Sequence, residues 1–492
     1  MDQDRTPVLD ALAEHQKLGR YGYTPPAHRQ GRGVDPRVLE VLGEQSFRSD
    51  VVASSGLDDR SNSNGHLSDA EALMADAVGA RQAFFSTCGS SLAVKAAILA
   101  VTRDDGELLI GRDAHKSVTS GLVLSGLQPR WLKPQWDNDL KLAHPPSPRT
   151  VEEMWNRYPD ASAALIVSPT PYGTCADLEA IVRICHDRGK PLIVDEAWGA
   201  HLPFNEDTPT WAMSAGADIC VVSVHKMGLG FEQGSVFHLQ GDLVDPVRLQ
   251  QCADVLTTTS ANVMLYAAID GWRRQMVQSG RAMIQDALTL AKRLRRDIEA
   301  LPGLHVLEDE LVRKEASHDL DILHIMIDVS ELGISGFQAT EWLRENCLLD
   351  MATTDHRRIE AVISVSDDAE TAGWLMEGLG KLIEAAPSLP RRPKVLIPDE
   401  SELYLETVIL PRDAFFGPVE VVPADEAPGR IAAEMATPYP PGIPLLLPGE
   451  LINKAAIDYL RSGVKAGMVL PDPADPSLET VRVVRKEEKK PE

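Results

Sequence analysis

No stretch of this chain stays apolar for the length of a membrane span, no two cysteines have C-x-x-C spacing, and no segment repeats. Basic residues are also short, 49 against 73 acidic ones in 492 residues. Each shortage removes a class of function. Without an apolar run of membrane length, and with no basic start leading into an apolar segment over Met1–Gln30, the expectation is a cytoplasmic protein. The six cysteines, Cys88, Cys175, Cys185, Cys220, Cys252 and Cys347, are scattered. They read as reduced, mostly buried thiols, with neither a disulfide framework nor a metal site. A net charge of −24 disfavours nucleic acid and anionic membrane surfaces as partners and mildly favours small cations.

What is present is ordinary globular material, 43% hydrophobic and 25% charged, in a chain too long for one core and therefore expected to form two or three domains. The spacing predicts a short helix over Pro7–Leu18, then an extended arm where Thr24–Gly31 carries Pro and Gly. From about Ser61 to Gln240 short apolar runs alternate with helical patterns, the signature of βαβ units around a mainly parallel sheet. Strands are expected at Gln82–Ser86, Glu107–Gly111, Ala163–Ser168, Pro191–Asp195, Ile219–Val224 and Ser235–Leu239. Helices are expected at Ser91–Val101, Ala176–Arg188 and Thr210–Ala215. The near-continuous apolar character of the strands fits burial on both faces. A long helical stretch, Leu265–Leu301, leads to a smaller α/β segment with strands at Leu304–Glu308, Ile322–Ile327 and Ala361–Val365. After the linker Ser388–Pro393 a third module starts with a strand-like Glu402–Leu410 and ends in a charged tail, Arg485–Glu492. The expected division is an arm over 1–60, a large α/β domain over 61–300, a small α/β domain over 301–390 and a C-terminal α+β domain over 391–492.

Chemistry concentrates at strand ends, where open α/β sheets collect ligands. Pro191-Leu192-Ile193-Val194-Asp195 is an apolar strand ending in a carboxylate. Alone it reads as a turn cap; it can also keep a pyridine nitrogen protonated, making the ring an electron sink. The next strand, Ile219–Val224, runs into His225-Lys226. A lysine there can form an imine if its amine is held neutral part of the time, as a desolvated site allows. Upstream, Ser86-Thr87-Cys88-Gly89-Ser90-Ser91 joins a strand to a helix, where hydroxyls and free N–H groups suit a phosphate, although Ser90 and Ser91 serve equally as N-caps. Arg112-Asp113-Ala114-His115-Lys116-Ser117 follows another strand and puts an imidazole at the same edge.

These segments, with Ser168-Pro169-Thr170-Pro171-Tyr172-Gly173, Pro411–Phe415, Gly429-Arg430-Ile431, Tyr439–Pro444 and Pro448-Gly449-Glu450, resemble the bacterial Orn/Lys/Arg decarboxylases along nearly the whole chain. The resemblance implies an α/β fold of PLP fold-type I (aspartate aminotransferase-like), with a mainly parallel seven-stranded sheet. It implies pyridoxal 5'-phosphate on Lys226, Asp195 at the pyridine nitrogen beside Ala197, and His115 stacked on the ring. Ser90, Ser91, Ser223 and His225 would surround the phosphate or support the lysine. Thr259 and Ser260, in the segment Thr257–Ser260, would reach a neighbouring subunit's phosphate, implying a homodimer or higher homo-oligomer. The implied reaction converts arginine, ornithine or lysine to its amine and CO₂, with Lys226 or His225 donating the proton at Cα.

The sequence departs from the family pattern at Cys88, Val94, Trp198, Val224, Ala261 and Gly228–Gln233. These departures leave open oxidative decarboxylation or transamination of a basic amino acid, and a non-catalytic homologue. Glu232 is a candidate for the substrate's distal cation and equally a surface acid.

Overall fold

The computed structural model describes the chain except residues 54–56, 58–64, 104–105, 313–314, 440–441 and 487–492. Most of the expected charged tail, the start of the expected large domain and two of the three prolines of Tyr439–Pro444, Pro440 and Pro441, therefore lie outside the described residues. The rest forms two compact units, Met1–Ala100 with Pro191–Ile284 and Val101–Lys190 with Gln285–Glu492.

Seven strands make the main sheet: β1 (Gln82–Ser86), β2 (Glu107–Gly111), β3 (Gln128–Leu132), β4 (Ala164–Val167), β5 (Leu192–Asp195), β6 (Ile219–Ser223) and β7 (Ser235–Leu239). Four of them, in the order β1-β7-β6-β5, belong to the first unit, and three, in the order β4-β2-β3, to the second. β7 runs antiparallel to both of its neighbours, while the pairs β2–β3, β2–β4 and β5–β6 are parallel. Every residue of β4, β5, β6 and β7 is buried, as expected where helices cover both faces of a parallel sheet. β3 escapes a reading of apolar runs because Gln128-Pro129-Arg130-Trp131-Leu132 mixes polar residues with a proline. It lies at the end of the strand order, where a missing N–H does no harm.

In the first unit the helix Pro7–Leu18 is as expected, and a buried charge ties it to the fold. Asp270, fully buried, accepts the Val8 N–H at 2.9 Å and pairs with Arg273 at 2.9 Å. The long helical stretch is real but jointed: Val263–Gln275 and Arg281–Glu299 flank a π-turn at Met276–Gly280. No helix forms over Thr210–Ala215. Between Pro209 and the left-handed Gly216 there is room for one turn, closed by the Ala215 N–H on the Trp211 carbonyl, too short to repay nucleation.

The second unit carries a three-stranded sheet of His305–Val306, His324–Asp328 and Arg358–Val362. The last strand starts three residues before the expected one. Two of its residues are charged and fully buried: Arg358 pairs with Asp355 at 2.8 Å and Glu360 with His324 at 2.6 Å. Paired buried charges hide a strand from a reading based on apolar runs. Of the expected Glu402–Leu410 strand only an isolated bridge from Thr407 to Glu450 forms, after a one-turn helix, Glu400–Leu403, secured by a capping box between Asp399 and Glu402. A further core, including Leu446, Ile457, Leu460 and Val483, packs around the strand pair Val419–Pro423 and Thr480–Val484.

Candidate active site

β5 and β6 are adjacent and parallel, with Asp195 opposite Val221. The chain leaves β6 into a single helical turn, Val224–Met227, which carries His225 and Lys226. Parallel register is what brings the strand-end carboxylate of β5 and the lysine after β6 to one sheet edge. Asp195 is 3% exposed. Burial raises its carboxyl above the usual carboxylate range, while the nearby Lys226 charge and the Ala197 N–H, 3.3 Å from Oδ1, pull it down. A protonated ring nitrogen here would add a donor to a carboxylate that burial has left poorly solvated.

The Lys226 ammonium lies 4.1 Å from the centre of the Trp198 ring, within cation–π range. Trp198 follows Asp195 by three residues, and its contact depends on the chain turning back after β5. The sequence marks Trp198 as a departure; it does not predict this contact. His225 donates from Nδ1 to the Gly234 carbonyl at 3.3 Å. Burial lowers its basicity, with the Lys226 charge acting in the same direction and the Gly234 carbonyl and Glu232 opposing. Glu232 itself is exposed.

The phosphate side forms at the start of the helix Gly89–Ala100, whose first N–H groups have no partner within the helix. Ser223, at the end of β6, donates its hydroxyl to Ser90 at 2.8 Å. Ser91 is half-buried on the same turn. Gly89 adopts φ +74°, open to glycine without strain, and its N–H meets the carbonyl of Gln233. The buried Thr87 hydroxyl oxygen has no hydrogen-bond partner among the described residues. Hydroxyls, a helix N-terminus and an orphaned buried oxygen fit a phosphate, and Asp195 with Lys226 fits the ring and aldehyde of pyridoxal phosphate.

Asp195 and Glu196 are neighbours in sequence with different surroundings. Glu196 is fully buried and accepts from the Cys220 thiol at 3.1 Å and the Ala212 N–H at 3.3 Å. Burial holds it well above the carboxylate range, and the Asp195 charge acts in the same direction, against the Cys220 and Ala212 donors.

His115 belongs to the second unit. It caps the helix Lys116–Ser125, its Nδ1 accepting the Ser117 N–H at 3.2 Å, so the ring proton of the neutral form resides on Nε2. Gly442, at φ +92°, packs on this ring: a Cβ there would lie 2.9 Å from His115 Cδ2. Thr259 and Ser260 are exposed, in a loop pinned by the Thr258–Ser260 hydroxyl pair at 3.1 Å. The structure therefore brings Asp195, Ala197, Lys226, His225, Ser223, Ser90 and Ser91 into one unit, with Thr259 and Ser260 on its surface and His115 in the other.

A family model described as Orn/Lys/Arg decarboxylase, major domain, matches residues 6–324, and one described as the C-terminal domain of the same family matches residues 403–472. A protein named arginine decarboxylase in Halalkalibacterium halodurans is 34% identical over 489 residues, 99% of each chain. One of the same name in Bacillus subtilis is 33% identical over 490 residues, again 99% of each. The solved structure of lysine decarboxylase A from Pseudomonas aeruginosa matches with a TM-score of 0.81 over 97% of this chain and 80% of that one, at 22% identity.

Proposed function

The chain belongs to the Orn/Lys/Arg decarboxylase family, and from that premise we propose that it decarboxylates arginine with pyridoxal phosphate held on Lys226. One observation carries the reading: a lysine and a buried carboxylate that feels its charge, at the ends of two adjacent parallel strands. When bound, the cofactor supplies an electron sink for the bond between Cα and the substrate carboxylate. Asp195 keeps the ring nitrogen protonated, and the small Ala197 beside it leaves room for the ring. Ser90, Ser91 and Ser223, with the N–H groups of the Gly89–Ala100 helix, bind the phosphate. The resemblance gives His115 the role of stacking on the ring. Lys226, and His225 when protonated, are the two groups able to deliver a proton at Cα. Thr259 and Ser260, exposed in the single chain, are read as phosphate contacts to a second subunit of a homodimer. Arginine is preferred because the relatives bearing its name match along the whole chain.

The experiment is CO₂ release by the pyridoxal phosphate-loaded protein from arginine, lysine and ornithine in parallel, with the amine identified by mass spectrometry and Lys226→Ala as control. Agmatine and CO₂ from arginine, abolished in the variant, are expected. A cofactor absorbance band with no CO₂ from any of the three would overturn the decarboxylase reading and leave the cofactor assignment standing.

A further inference from the structure

The arm at the start of the first unit is an electrical exception. From His15 to Val34 it has no acid and carries Lys17, Arg20, Arg29 and Arg32, although acids outnumber bases 73 to 49 over the whole chain. Its Pro- and Gly-rich part, expected to be extended, instead coils back on itself: the N–H groups of Gly31 and Gly33 both meet the His28 carbonyl, at 3.0 and 3.4 Å. This coil and the segment at Asp50 form the walls of a cavity of about 320 Å³, lined by His15, Arg20, Tyr21, Pro25, Arg29 and Asp50 among others. That volume lies at the lower end of the ~300–1,000 Å³ range of small-molecule pockets.

Contacts between lining residues place the charges on the wall. Arg29 Nη1 donates to the carbonyls of Thr24 and Pro26, the second at 3.5 Å, and both of those residues line the cavity. Burial lowers the basicity of the His15 imidazole and the Arg20 charge lowers it further, so these two lining side chains are close. Arg32 stands over the Tyr21 ring, 5.7 Å from its centre. Among the described residues no carboxylate pairs with Arg20, Arg29 or Arg32, and the Arg20 guanidinium donates to nothing. The one acid on the wall, Asp50, is taken up by His28 Nε2 at 3.2 Å. Like charges gathered without a counter-charge repel one another, and the backbone that gathers them is itself unusual. Arg29 and Gln30, neither of them glycine, adopt φ +49° and +58°, a left-handed conformation that is costly for a residue with a side chain and recurs at ligand clamps.

The missing counter-charge specifies the ligand. A phosphate monoester carries ~1.5–2 negative charges at pH 7 and offers the acceptor oxygens that guanidinium groups engage in pairs. The exposed Tyr21 ring and the two prolines beside it offer an apolar face to the group that the phosphate esterifies. We propose that the arm cavity is an anion site, separate from the active site, that takes a small phosphate monoester between Arg20 and Arg29. None of Asp195, Lys226, Ser90 and Ser223 lines it, so the site does not rest on the decarboxylase reading.

The probe is phenyl phosphate, titrated by calorimetry into the pyridoxal phosphate-loaded protein while the cofactor absorbance band is followed. One binding event per chain is expected, with the band unchanged. Arg20→Gln, which removes a guanidinium that holds no other group, is expected to weaken binding ~10-fold or more, the scale for losing a charge-assisted hydrogen bond. Arg32→Gln should weaken it less, and Arg37→Gln, at an exposed base outside the cavity, should leave it unchanged. Inorganic phosphate, which lacks the ring, should bind more weakly than the probe, and phenol, which lacks the charge, not at all. Melting temperature and the cofactor band are checked in every variant, so a misfolded one is recognised and the others decide. No heat at millimolar probe, an equal loss in Arg37→Gln and Arg20→Gln, or loss of the cofactor band in step with binding would overturn the proposal. So would an Arg20→Gln protein that keeps its affinity for the probe and changes its state of association in sedimentation, since the arm would then be a contact between copies of the chain.

Discussion

Asp195 in the first unit and Asp113 in the second are both acids that follow a strand of the main sheet and are buried to nearly the same extent, 3% and 5% exposed. They differ in what surrounds the charge. Asp195 has Lys226 close enough to offset part of its burial, and a hydrogen bond from Ala197. Among the described residues Asp113 has only its own N–H and Arg112, whose two Nη groups are committed to other acceptors. A buried carboxylate is costly in either setting. The first arrangement contains its own counter-charge and is ready for a ring nitrogen; the second has only the partial offset of Arg112.

The largest test of this contrast removes the better-compensated charge. Asp195→Ala is expected to lower kcat by ~10²-fold or more, the scale for deleting an electrostatic group that acts on developing charge, and to weaken retention of the cofactor, read by its absorbance after dialysis. Full activity would end the assignment of Asp195 to the ring nitrogen. Next comes the counter-ion's own support. Trp198→Ala removes a ring face worth ~1–2 kcal/mol to a desolvated ammonium, so a ~5–30-fold slower recovery of the cofactor band after reloading is expected, with Trp198→Phe between the two. Equal rates in all three would show that the indole does not position Lys226.

Asp113 predicts a pH signature of stability. Its folded value of about 7 lies above the ordinary 3.8. Between these the folded state holds a proton that the unfolded state has lost, so stability falls as pH rises from about 4 to about 7. The penalty is complete above 7 and amounts to about 4 kcal/mol, since a tenfold change in proton affinity corresponds to about 1.4 kcal/mol. Asp113→Asn removes that slope. The variant should melt several degrees above the parent at pH 8, with the gap shrinking by pH 5. Glu450, also raised to about 7 by burial, stays in both proteins and cancels in the comparison. A pH-independent gap would mean that Asp113 is compensated after all. The smallest effect belongs to Glu196→Gln. Burial pushes Glu196 toward its neutral form, with the Cys220 thiol and the Ala212 N–H as donors to its Oε2, so kcat at pH 7 should change by no more than about twofold, since a neutral amide replaces an acid biased toward neutrality. A loss comparable to that of Asp195→Ala would mean that Glu196 carries charge.

Much of the main sheet was legible because its strands are short, apolar and bounded by turns. β1, β2 and β7 coincide with the expected ends, and β4, β5 and β6 are each shorter than expected by one or two residues. Asp195 and Lys226 stood out because polar residues end apolar runs. β3 did not, and the strand Arg358–Val362 was displaced, because a proline at the end of the strand order and buried ion pairs break the apolar rule locally while remaining satisfied in three dimensions. Within the site, Ser90 and Ser223 were readable as separate phosphate candidates, but their mutual hydrogen bond was not. Asp113 stood in plain view beside His115 and carried no sign of its burial.

By itself the sequence determined which segments become buried strands and which polar groups end them, since apolar runs, turn residues and strand ends are local properties of the chain. Only the tertiary structure decided the electrical surroundings of those groups: Asp195 offset by Lys226, Glu196 pushed toward its neutral form, Asp113 offset only in part by Arg112. The physical reason is that desolvation and Coulomb attraction sum over every atom near a charge, and those atoms come from segments far apart in the sequence.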